Sequence, residues 1–292
     1  MANIKKSLKE NVSGELFVDE TCINCDACRR FAPSHFAVHP EYSYVNQQPS
    51  HDQEYLDCAM ALLSCPVGAI GFETVSKHKN ILAKARDQFP MQIDNDVYIN
   101  GFNHRKTFGA DSYFIKDPEG NWLIDSPRFT KKLVSKIEAM GGLSYIFLSH
   151  QDDIGDSEKF AKYFGAKRII QTFDSHKISD AEIILKEKRT EINSAVIVHT
   201  PGHTKGSQCL IWKGKYLFTG DHFAYIRRLE HFASFRKACW YDWNIQINSV
   251  EILGEFKDIE WVLPGHGSRG EVKKGEFAEI IKNAVEWMHS VA

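Results

Sequence analysis

The chain has 292 residues, with 36 basic against 38 acidic side chains and a net charge of −2. That balance argues against a dedicated nucleic-acid binder, and 43% apolar with 25% charged residues is the mix of a folded chain rather than a disordered one. No run of about 18 apolar residues exists, so no transmembrane helix is expected. The start, MANIKKSLKENVSGELF, lacks the apolar run of a secretory signal, so a cytoplasmic protein is expected, with neither membrane nor nucleic acid as partner.

The first landmark is a cysteine cluster. Cys22, Cys25 and Cys28 are spaced C-x2-C-x2-C, and Cys65 stands before Pro66. Two-residue loops let three thiolates wrap one face of an iron–sulfur cube, and a thiolate from a distant segment closes it. A zinc site could use the same four thiolates, but zinc ribbons pair two C-x2-C knuckles rather than crowd three cysteines into one loop. Cys58, Cys209 and Cys239 stand apart and are expected to pack inertly. Residues 1–75 carry ten acidic against five basic side chains, and the remainder has a basic excess. The cysteine clustering stops at the same place. This predicts a first domain over 1–75, a polar linker over 76–94 and a second domain over 95–292.

The second domain alternates short apolar runs with helical patterns. Strands are expected at 97–102, 111–117, 121–126, 143–149, 167–172, 194–199, 208–213, 215–220 and 261–265. Helices are expected at 130–140, 157–163, 245–256 and 277–288. Strand pairs near its start and middle suggest hairpins with helices outside, hence a mixed α/β fold with two sheets. Four polar residues stand just past apolar strands: His150 after YIFLS, His203 after AVIVHTPG, Asp221 after YLFTG and His266 after WVLPG. Loops leaving one end of packed strands converge, and Gly202, Gly220 and Gly265 let the backbone turn sharply beside them. A shared metal site is the expectation. His222, next to Asp221, is a candidate to stand behind the metal ligands or to donate a proton, or else an outward-facing surface residue. The stretch from Tyr225 to Trp243 is rich in arginine and aromatic side chains, either to contact an anionic substrate or for packing.

Residues 14–74 resemble the bacterial-type ferredoxins. In their two-cluster form a Cys-Pro follows the third cysteine after three residues. Here that place is Ala32-Pro33. The mirror motif would need cysteines at 55, 58 and 61, where the chain has Tyr55, Cys58 and Ala61. The resemblance therefore implies one [4Fe–4S] cluster, held by Cys22, Cys25, Cys28 and Cys65.

Residues 95–292 resemble the metallo-β-lactamase superfamily through FLSH (147–150), HTPGHTKGS (199–207), LFTGD (217–221) and PGHG (264–267). The resemblance implies an α+β chain, a small ferredoxin-like domain followed by an αββα sandwich. His203 and His266 would be metal ligands and Asp221 a bridging carboxylate, for one or two ions of iron or zinc. The family's H-x-H-x-D-H motif is broken. Aligned on FLSH, His150 is the first histidine and Asp152 replaces the second, with Ile154 and Gly155 in the last two ligand places. Aligned on D-H-x-G, His150 is the second, Asp152 and Asp153 replace the Asp-His pair and Leu148 holds the first place. Asp153 or Asp156 could supply missing ligands through a reshaped loop. Carboxylate for imidazole favours harder ions such as iron. The flavodiiron proteins of the same superfamily carry a carboxylate at the second position, and reduce oxygen or nitric oxide at a di-iron centre with electrons from a flavodoxin domain. A ferredoxin-like domain could serve instead here, fed by a reductase or ferredoxin and acting on a small molecule. Two alternatives stand beside this oxidoreductase: a metallo-hydrolase with a structural or sensing cluster, and a non-enzymatic electron carrier with a degenerate second domain.

Overall fold

The computed structural model describes residues 2–292. They divide into two compact units, one of residues up to 116 with 127–142, the other of 117–126 with 143–292. Among the described residues no helix is long and apolar enough to cross a membrane.

In the first unit, strands Leu16–Val18 and Ile70–Phe72 pair antiparallel, fully buried, with Leu16 opposite Phe72. Between them lie helices Ala27–Phe31 and Asp52–Ser64 and the hairpin Phe36–Val38 with Ser43–Val45. Helix Asp52–Ser64 carries Asp52 and Glu54 in its first turn, where carboxylates meet the positive end of the helix dipole. It buries Leu56, Ala59, Met60 and Leu63. It stops at Cys65 because Pro66 follows: a residue before proline is pushed out of the helical region, and Cys65 is extended at φ −61°, ψ 117°. The same steric rule that ends the helix thus presents the fourth cysteine.

The stretch 76–94 is not a linker. Lys79–Gln88 is a helix that buries Leu82 and Ala85 and packs on Asp52–Ser64, and Met91–Asp94 is a strand paired with Val97–Ile99. Two apolar positions three apart give a helix one buried stripe, while the lysines, arginine and glutamine around them face water. That ratio makes the stretch polar in composition without making it unstructured. The unit continues through the pairing of Val97–Ile99 with Tyr113–Ile115 and includes helix Lys131–Ala139, whose first turn is capped by Thr130 accepting from the Leu133 amide.

The second unit contains two layers of strands. Trp122–Ile124, Tyr145–Phe147, Lys167–Gln171 and Ile183–Leu185 form four adjacent parallel strands in that order. The other sheet runs Arg189–Ile192, Ala195–His199, Gln208–Trp212, Tyr216–Gly220, Trp261–Pro264 and Gly270–Glu271, antiparallel except between Tyr216–Gly220 and Trp261–Pro264. Strand Gln208–Trp212 is buried on both faces. Cys209 and Ile211 join Val250, Phe277 and Ile281 in a core under helices Trp243–Leu253 and Phe277–Ser290. Their neighbours point the other way: the Gln208 side chain donates to Leu148 O at 2.9 Å and Trp212 Nε1 donates to Asp117 at 2.7 Å. The strand alternation thus sorts its residues between the helix-covered face and the parallel layer, as in a sandwich.

Candidate metal centres

Cys22, Cys25, Cys28 and Cys65 line one cavity in the first unit, walled by Val18, Ala69 and Ile70. The loop reaches this shape because Asn24 (φ 55°) and Asp26 (φ 68°), on either side of Cys25, take the left-handed conformation that their side chains tolerate. The sulfurs already receive backbone donors. Cys22 Sγ accepts from Asn24 N at 3.5 Å and Ser43 N at 3.4 Å, and Cys65 Sγ from Ala69 N at 3.3 Å. Burial pushes the Cys25 thiol up to about 12 and raises those of Cys28 and Cys65. The pocket therefore opposes bare thiolates and suits thiolates whose charge an inorganic group compensates. All seven cysteines are free, and Cys58 is buried on its helix away from the lining of this cavity.

In the second unit the four strand-end residues meet. His150, His203 and His266 each place Nε2 at 3.8 Å from the same oxygen, Asp221 Oδ2. Register explains half of this. Strands Tyr216–Gly220 and Trp261–Pro264 are parallel neighbours, and Gly265 N donates to Gly220 O at 2.7 Å, which sets Asp221 beside His266. Gly220 is required as well: its φ is +52°, and a Cβ there would lie 2.3 Å from Ser149 Oγ. Gly202, at φ +146°, would likewise drive a Cβ to 2.3 Å from Gln246.

The imidazoles are oriented from behind. His150 Nδ1 lies 3.0 Å from Ser149 Oγ, and His203 Nδ1 lies 2.6 Å from Ala238 O. A carbonyl only accepts, so in the neutral ring His203 carries its proton on Nδ1 and turns a bare lone pair at Nε2 toward a carboxylate. Two acceptors facing each other are repulsive unless a cation lies between them. Nε2 of His150 and of His203 are buried and have no hydrogen-bond partner. Burial, then the neighbouring His203, lowers the His150 pKa to about 3, so the ring stays neutral and free to ligate. Metal–nitrogen bonds of about 2.0–2.1 Å imply ligand atoms ~3.3 Å apart in a tetrahedron, close to the spacing seen. The donor set fits a divalent metal.

The broken motif also lands here. One ligand atom each from His150, Asp152 and His203 lie within 4.8 Å of one another, and the same holds for His150, Asp153 and Asp221. His150 belongs to both sets. Asp152 thus stands with His150 and His203, while Asp153 stands with His150 and Asp221.

A family model described as the 4Fe-4S single cluster domain of Ferredoxin I matches residues 18–72, which contain all four clustered cysteines. Among solved structures, a DIM-1 metallo-β-lactamase exposed to ceftazidime is similar with a TM-score of 0.55 and 18% identity, over 69% of this chain and 96% of its own. A metallo-β-lactamase from Hirschia baltica has a TM-score of 0.53 and 15% identity, over 68% of this chain and 96% of its own. FIM-1 from Pseudomonas aeruginosa, in a mono-zinc form, has a TM-score of 0.53 and 15% identity, over 68% of this chain and 94% of its own. No curated protein matches by sequence. The chain joins a ferredoxin-type 4Fe-4S domain to a metallo-β-lactamase fold.

In the second unit, sequence reasoning missed two buried carboxylates behind the converging histidines. Asp125, in the left-handed region at φ 52°, accepts from Ser149 N at 2.7 Å and so fixes the residue that holds His150. Burial pushes its pKa up to about 7, and repulsion from Asp221 adds to this. Asp174 accepts from Gln151 N at 3.0 Å, Thr204 Oγ1 at 2.6 Å and Gly206 N at 2.9 Å, tying the His150 loop to the His203 loop. The only sequence signal for Asp125 is an acid directly after an apolar strand; Asp174 has none.

His222 is neither a surface residue nor a ready proton donor. Its ring is 1% exposed, neither nitrogen has a hydrogen-bond partner, and burial then His203 lower its pKa to about 3. The aromatic stretch divides. Trp243 is buried with Arg236 over its ring, whereas Trp240 is 67% exposed with its ring 6.3 Å from that of His203.

Proposed function

We propose that the chain is a redox enzyme. The ferredoxin-type domain accepts single electrons from a partner reductase or ferredoxin, and the lactamase-fold site uses them to reduce a small molecule. The observation that carries this is the pairing, in one polypeptide, of a single-cluster ferredoxin-type domain with a site of three imidazoles and three carboxylates, His150, His203, His266, Asp152, Asp153 and Asp221. Cys22, Cys25, Cys28 and Cys65 would hold the [4Fe–4S] cluster, and the six His and Asp residues one or two metal ions. A mixed set of imidazoles and carboxylates suits iron, as in the His-and-carboxylate sites of non-haem iron proteins. When bound, such ions supply Lewis acidity and changes of oxidation state. The protein's part is to present bare Nε2 atoms fixed by Ser149 and Ala238, to keep His150 neutral by burial, and to offer Trp240 as an exposed apolar surface beside the site.

A metal-dependent hydrolase is the second reading, favoured by the fold shared with β-lactamases, of which FIM-1 is known in a mono-zinc form. There the same residues would hold zinc and the cluster would be structural or sensing. Anaerobic purification with metal analysis separates the two. The redox reading expects about six irons per chain, the cluster's four plus two. About four irons with zinc, and no spectral change at the second site when the cluster is reduced, would overturn it in favour of the hydrolase.

A further inference from the structure

The segment that matches the ferredoxin model ends at residue 72, and the residues lining the cysteine cavity fall within it, yet Cys25 is backed by a later segment. Gly109, in the same compact unit, sits at φ +83°, and a Cβ built there would lie 2.9 Å from Cys25 Sγ, 3.0 Å from Cys25 Cβ and 3.0 Å from Pro66. Any side chain would collide with a cluster cysteine, so bare backbone is pressed against that sulfur. A buried arginine holds it there. Arg30, two residues after Cys28, donates from Nη2 to Gly109 O at 2.6 Å and from Nη1 to Cys25 O at 3.2 Å, and its Nε lies 2.9 Å from Asp111 Oδ2. Asn103 Nδ2 adds bonds of 2.8 Å to both Gly109 O and Asp111 Oδ1. Arg30 and Asp111 are both almost fully buried. A buried ion pair is weak as a stabiliser and stronger as a device that fixes one arrangement, here the carbonyl of the cysteine loop and the carbonyl of Gly109 on one guanidinium fork.

We infer that residues 103–111 are a cover that packs against Cys25 from outside the cysteine cavity, clamped by Arg30, and that this cover sets the cluster's reduction potential and its resistance to air. The inference rests on the reading that the four cysteines hold a cluster. Reduction adds negative charge to a centre already ringed by thiolates, and water stabilises that charge. A dry backbone cover therefore holds the potential low, and opening it raises the potential and lets iron escape.

The test uses the full chain, purified without oxygen. Gly109→Ala and Arg30→Lys, which keeps the charge but loses the fork, are compared with wild type and Gly101→Ala. Gly101 also has a positive φ (+60°), but a Cβ there meets the Phe89 ring rather than a cysteine, so it controls for backbone strain. The expected result is a higher midpoint potential and several-fold faster iron loss in air for Gly109→Ala and Arg30→Lys, with Gly101→Ala at the wild-type potential. Gly109→Ala indistinguishable from Gly101→Ala in both readouts would overturn the cover. If Gly109→Ala does not fold, Arg30→Lys decides alone, and an unchanged potential there overturns it. A wild-type protein without a reducible cluster signal would instead overturn the cluster reading, and the cover with it.

Discussion

Asp174 offers the sharpest check on how the lactamase-fold site is held. Its carboxylate is 1% exposed and is shared by three donors, two of them backbone amides, from the loops that carry His150 and His203. In Asp174→Ala these donors lose a charged acceptor, each bond being worth about 1.5–3 kcal/mol, and Gly206 N is left buried without one. Water entering the vacated space and relaxation of the exposed side of the loop recover part of the sum, so the expected loss is about 3–5 kcal/mol. Asp174→Asn should lose less. Its one remaining oxygen can serve Gln151 N and Thr204 Oγ1, while the amide nitrogen faces Gly206 N, donor to donor. Because the residue joins the two ligand loops, metal affinity should fall by about 10–100-fold, the usual cost of removing an orienting group behind a ligand. Urea unfolding of the metal-free protein at pH 7 measures the first quantity, and competition with a chromophoric chelator the second. Asp174→Ala within ~0.5 kcal/mol of wild type and equal in affinity would refute the argument that this carboxylate fixes the ligand geometry.

Other changes separate the two centres. Serine at any of Cys22, Cys25, Cys28 or Cys65 should remove about four irons per chain, whereas Cys58→Ala should keep them, as iron and sulfide analysis would show. Asp221→Asn should empty the lactamase-fold site and leave the cluster's electron paramagnetic resonance signal intact; retained metal there would contradict the role of the shared oxygen. Trp212→Phe should destabilise the protein by about 1.5–3 kcal/mol, because Asp117 loses its 2.7 Å donor while buried, and chemical denaturation reads this directly. The Cys58 and Cys209 thiols have been pushed by burial from 9.0 to about 12. A group raised on folding contributes its stability below the unfolded value and loses it as pH rises toward the folded one. Stability should therefore decline between pH 9 and 12, and Cys58→Ala and Cys209→Ala should each decline less steeply than wild type in urea midpoints over that window. Parallel slopes would remove the claim.

What could be read in the sequence follows a physical line. His203, Asp221 and His266 were legible because each stands after an apolar run and a glycine, and strand pairing, Gly220 opposite Pro264, brings two of the three together. The cysteine loop was legible because C-x2-C-x2-C spacing crowds three thiols into one short loop, which Asn24 and Asp26, on either side of Cys25, help close in the left-handed conformation. The helix Lys79–Gln88 escaped because its buried stripe is only Leu82 and Ala85, too thin a pattern to stand out from polar neighbours.

The supports behind the ligands escaped for a different reason. Asp125 meets Ser149 across 24 residues and Asp174 meets Gly206 across 32, and neither separation leaves a period, a spacing or a composition in the chain. Arg30 reaches Gly109 across 79. Ligands must sit at strand ends, where backbone geometry can deliver them, so their places are written into local pattern. The groups that hold ligands in one orientation need only touch them, and any element that passes nearby can supply one. The same asymmetry explains the broken motif: Asp152 and Asp153 sit one residue apart on a turn, and only the folded loop shows that one faces His203 and the other Asp221.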